Sequence, residues 1–87
     1  MRLSVSVAMR GDDDLTALTD QILAAAAVPS DGSGAGMGYR DTEYEVETVE
    51  EGEAAGKRIE AAFPDRMVIW DVQDGDDILV SSPVTLP

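Results

Sequence analysis

Hydrophobic and polar positions alternate from the first residues of the chain. Between Arg2 and Met9, Leu3, Val5, Val7 and Met9 take one side and Ser4, Ser6 and Ala8 the other, the period-two pattern of a strand with one face in a core. Gly11 and the run Asp12–Asp14 interrupt it. Acidic residues there suit a helix start, where they accept hydrogen bonds from free N–H groups and meet the positive end of the helix dipole. Leu15, Leu18, Ile22, Leu23 and Ala26 then recur at helical spacing, which predicts a helix to about Ala27 that stops before Pro29. Residues 29–38 hold four glycines and two serines and read as a flexible, linker-like loop.

The second half begins extended. From Tyr39 to Val49, Tyr44, Val46 and Thr48 share one face and Asp41, Glu43, Glu45 and Glu47 the other, with β-branched and aromatic residues supporting a strand. Thr48 and Glu51 then match a capping box, in which each side chain satisfies a backbone donor near the other. The helix that follows turns Gly52, Ala55, Ile59, Ala62 and Phe63 inward, sets Glu53 and Lys57 four apart outside, and ends at Phe63-Pro64-Asp65. Met67–Val72 is apolar on both faces, as an interior strand is. Asp74-Gly75 signals a hairpin, with Ile78–Ser81 returning beside it and residues 83–87 forming a loose tail. The order β-α-β-α-β-β predicts an α+β, two-layer domain with two helices on one face of a four-stranded mixed sheet. A ferredoxin-like arrangement is the alternative, and it needs a strand break between Gly36 and Thr48.

Composition narrows this picture. Eighty-seven residues allow one domain, residues 1–87, with one modest core, and a chain this short buries only about 60% of its unfolded surface. With no cysteine and no histidine, neither disulfides nor a structural zinc site is available, so a homodimer or a bound partner remains open as support. The 44% apolar content is enough for a packed core. No apolar run reaches the roughly 18 residues of a membrane span, and Arg10 with three aspartates follows the first apolar stretch in place of a cleavage site. The expected location is the cytoplasm.

Eighteen acidic residues against six basic ones leave a net charge of −12. Such a domain repels nucleic acid and anionic membranes and attracts basic surfaces. The charge is also ordered. Asp41, Glu43, Glu45 and Glu47 alternate, so on a strand they stand in a row about 6.6–6.8 Å apart, and Glu50, Glu51 and Glu53 extend it. That spacing suits a phosphate-like ladder, since phosphates along a DNA strand rise by about 3.4 Å and are separated further by their winding. Tyr39, at the head of the row, is a candidate surface contact of the kind protein interfaces use.

Other candidates have ordinary explanations. Asp71, Asp74, Asp76 and Asp77 suggest calcium, but in the helix-loop-helix register Trp70 and Val72 would fall on ligand positions; a polar hairpin tip accounts for them. Gly34, Gly36 and Gly38 precede a strand where a phosphate-binding loop would open a helix. Without histidine or cysteine the usual general base and the best nucleophile are missing. The residues therefore point to a binding protein rather than an enzyme, with no cofactor and no metal.

The length, the charge and the Asp41–Glu47 row leading to Glu50 and Glu51 resemble the small acidic inhibitors encoded by phages and mobile elements, notably anti-CRISPR proteins that act as DNA mimics. That resemblance implies a stoichiometric inhibitor that occupies the basic, DNA-binding groove of a nucleic-acid-handling complex. Two other readings stand beside it. One lysine against five arginines, with abundant Ala, Asp, Val and Gly, fits a structural or protein-interaction domain of a salt-adapted or GC-rich organism, its acidity serving solubility. A dimeric ligand-binding domain using the exposed sheet face is the third.

Overall fold

The computed structural model describes residues 1–36 and 38–82. The elements are β1 (Arg2–Ala8), α1 (Leu15–Ala26), β2 (Ser30–Gly36), β3 (Tyr39–Glu45), α2 (Val49–Ala62), β4 (Val68–Asp74) and β5 (Asp77–Ser81). The α+β class stands. The sheet has five strands in the order β2-β3-β1-β4-β5, every neighbouring pair antiparallel. The expected four-stranded mixed sheet is corrected on both counts.

The difference lies in residues 29–38. Ser30–Gly36 is a strand, not a flexible loop, and it pairs with β3 through Gly32↔Glu43, Gly34↔Asp41 and Gly36↔Tyr39. Glycine and serine bring little side-chain packing to a strand, so its existence depends on the backbone bonds that β3 offers. With that strand counted, the first six elements run β-α-β-β-α-β in the split connectivity of ferredoxin-like domains, and β5 adds an outer strand beyond β4. The expected tail, 83–87, lies outside the described residues.

The helices close one face. Leu3, Val5 and Val7 of β1, Tyr44 of β3 and Trp70 and Val72 of β4 are buried against Leu18, Ile22 and Ala26 of α1 and Ala55 and Ile59 of α2. Tyr44 donates its buried hydroxyl to Thr42 Oγ1 at 2.9 Å, and burial raises its pKa, partly offset by that bond. Both helix starts are capped. Asp14 accepts from the amides of Thr16 and Ala17, and Thr48 from that of Glu51. Ala62, expected inward, is exposed; Gly56, not expected there, is buried. No helix among the described residues is long and apolar enough to cross a membrane.

The tightest contact is α2 on β4. A Cβ on Gly52 would stand 2.6 Å from Val72 Cγ2, and one on Gly56 would come within 2.7 Å of Cγ and Cε2 of the Trp70 indole. Only glycines let the helix come this close. The indole N–H then donates to the Glu60 carboxylate one turn further along. An alanine in an exposed helix position is worth about 1 kcal/mol over glycine, but overpacking a rigid ring costs about 1–3 kcal/mol. Gly56→Ala is therefore expected to lose about 1 kcal/mol or more in urea unfolding, and a gain in stability would refute this packing.

Candidate functional site

The face of the sheet opposite the helices is open, and the register settles what stands on it. Arg2, Ser4 and Ser6 of β1 lie opposite Glu45, Glu43 and Asp41 of β3 on one side and Gln73, Asp71 and Ile69 of β4 on the other. Three members of the expected row, Asp41, Glu43 and Glu45, thus share this face. Strands stand about 4.8 Å apart, so Asp71 sits about two strand spacings across from Glu43, with Ser4 between them.

The row is partly tethered. Asp41 Oδ1 accepts from Ser6 Oγ at 2.6 Å. The Arg2 guanidinium lies 3.5 Å from Glu43 and 3.5 Å from Asp31, and the Met1 ammonium 3.3 Å from Glu45. These are solvent-exposed contacts, worth little each, but they relax the repulsion among carboxylates that share a face. Ser4 and Ser6 were legible as the polar side of the first strand; what could not be read was which strand they, and Arg2 with them, would lie beside.

The rest of the expected patch is divided. Glu47 is exposed beyond the end of β3, and Glu50 and Glu51 occupy the first turn of α2. Their charge there meets the positive end of the helix. Glu53 pairs with Lys57 at 2.7 Å, which raises the lysine pKa and keeps it charged. Tyr39 is half-buried and directs its hydroxyl to Met67 Sδ at 3.5 Å.

Folding adds a cluster that the linear order keeps apart. β1 begins where β3 and β4 end and where α2 and β5 start. Glu45, Glu47, Glu50 and Glu51 therefore gather at the same end of the molecule as Asp74, Asp76 and Asp77. A hollow of about 330 Å³ between them is lined by Met1, Arg2, Glu45, Gln73, Asp74 and Gly75. Gly75 makes the tight turn at φ +62°, as hairpins with glycine at the first central position do. Among the described residues no three acidic side chains are grouped so as to hold a metal ion, and no buried side-chain polar atom lacks a partner. The site is a charged surface.

At the opposite end two of the carboxylates, Asp13 and Asp65, are paired with arginines. Arg66 grips Asp13 with two bonds of 2.6 and 2.8 Å and also donates to the Ala8 carbonyl at 3.2 Å. Arg10 donates to Asp65 at 2.9 Å. These bonds fasten the β1–α1 loop to the α2–β4 loop. The Arg66 hydrogen bond, helped by the Arg10 amide, lowers the Asp13 pKa from 3.8 to about 2. A carboxylate whose pKa falls on folding stabilises the fold above its unfolded pKa, and that contribution disappears as pH drops through the folded value. Asp13→Asn is thus expected to be less stable than the parent at neutral pH, the gap closing between about pH 4 and pH 2. A gap that stays constant in denaturant titrations over this range would count against the ion pair.

No family model matches the chain, and no curated protein or solved structure matches it either. The geometry alone carries the functional reading.

Proposed function

We propose that this protein is an acidic binding protein that inhibits a nucleic-acid-handling complex, in the manner of an anti-CRISPR DNA mimic, by filling its basic groove. One observation carries the reading. Carboxylates from β3, from the start of α2 and from the β4–β5 turn converge on one end and the adjoining open face, while at the other end Asp65 and Asp13 are held by Arg10 and Arg66. Within the row, Asp41, Glu43 and Glu45 keep a strand spacing of about 6.6–6.8 Å, and they offer arginines and lysines what a phosphate strand offers. Tyr39 borders the same face. Such an inhibitor acts stoichiometrically in the cytoplasm, needs no cofactor, and associates fast and in a salt-sensitive way.

The test is displacement of duplex DNA from a basic nucleic-acid-handling complex at low and high salt. The parent is expected to displace DNA at low salt and to lose that ability as salt rises. A variant carrying Glu45→Gln, Glu47→Gln, Glu50→Gln, Asp74→Asn, Asp76→Asn and Asp77→Asn should be weaker by more than about tenfold. Undiminished displacement by this variant, with its amide spectrum intact, would sink the proposal.

A second reading has its own observation, the single lysine among six basic residues. If acidity serves solubility in a salty cytoplasm, molar potassium chloride should raise the thermal midpoint strongly and no basic partner should bind. A midpoint indifferent to salt removes that reading.

A further inference from the structure

We propose that the outer edge of β5 receives an extended basic segment of the partner as an added strand, a proposal that rests on the basic-partner reading above and names how that partner is held. Among the described residues β5 has β4 as its one neighbour in the sheet, and an edge strand presents unpaired N–H and C=O groups along its free side. Strand addition uses such an edge for affinity and alternate side-chain contacts for specificity.

This edge also carries apolar surface. Ile78 and Leu79 are 61% and 46% exposed, the two most exposed large hydrophobic residues of the described chain. Ile78 stands opposite Gln73, a neighbour of Arg2, and so belongs to the open face. Around this pair are carboxylates: Asp74 and Asp77 close the hairpin opposite each other, and Asp76 lies between them. An occupant that alternates aliphatic with basic side chains sets the former on Ile78 and Leu79 and the latter toward the aspartates. The chemistry of the edge selects for that alternation.

Two features disfavour a second copy of this chain. Each copy carries a net charge of −12. The register of β4 with β5 also shifts between Val72 and Gln73, and a bulge twists an edge away from long, flat self-pairing. The opposite edge, β2, has the sequence SDGSGAG, which lacks large aliphatic side chains to reward an added strand.

The probe is a short peptide alternating arginine with valine, tested on the whole chain at low salt by calorimetry and amide exchange. Binding is expected to slow exchange across Asp77–Ser81. N-methylation of alternate peptide amides, which keeps the charge but removes donors, should weaken binding about tenfold, as should Ile78→Ser combined with Leu79→Ser in the protein. Equal affinity of the methylated peptide, or protection confined to Glu47–Glu53, overturns the proposal. So does a dimer in sedimentation that Ile78→Arg abolishes, because the edge is then taken by a second copy. If the peptide fails at β5 while the six-residue amide variant loses DNA displacement, the edge site falls and the inhibitor reading stands. If the peptide pairs with β5 while that variant displaces DNA like the parent, the inhibitor reading falls instead.

Discussion

The seating of α2 on β4 governs the rest of the molecule. A domain of this size has little core to spare, and its largest buried side chain, Trp70, lies under a helix that reaches it only because Gly52 and Gly56 lack side chains. Glycine inside a helix costs about 1 kcal/mol relative to alanine, and here the close packing of Val72 and the indole ring offsets that cost. Once α2 is seated, Glu50 and Glu51 must lie at the end of the sheet where β1 begins. Among the described residues no layer covers the second face of the sheet, and β4 carries β5 outward.

Charge is distributed around this core unequally. Where the β1–α1 and α2–β4 loops meet, arginines bind the aspartates directly and join two loops distant in sequence. At the other end Arg2 and the Met1 ammonium are the nearby cations, and they touch Glu43, Glu45 and Asp31 at 3.3–3.5 Å. Carboxylates there retain most of their field, since exposed pairs at such distances compensate weakly. Uncompensated carboxylates are thus concentrated at one end of the domain, and exposed aliphatic side chains lie on the neighbouring sheet edge.

Much of the fold was legible because local signals agreed with one another. The alternation of Leu3, Val5 and Val7, the helical recurrence of Leu18, Ile22 and Ala26, the caps at Asp14 and Thr48 and the Asp74-Gly75 turn are all present where their patterns placed them. The segment 30–36 misled because glycine and serine carry no hydrophobic period, and its strand is specified by β3 rather than by its own residues. Gly56 passed unnoticed for a related reason: a helical glycine has no local purpose, and only Trp70 on a distant strand supplies one.

The sequence by itself determined the α+β class, both helices with their caps, the alternating carboxylates of Asp41, Glu43 and Glu45, and the excess of negative charge, since each depends on residues near one another along the chain. Tertiary structure alone decided that β1 lies between β3 and β4, bringing Arg2 against the row. It also brought Asp74 to the same hollow as Glu45 and left Ile78 and Leu79 on an edge with no neighbouring strand among the described residues. Those outcomes follow from strand order, which is set by the burial of one shared face and cannot be read from any single segment.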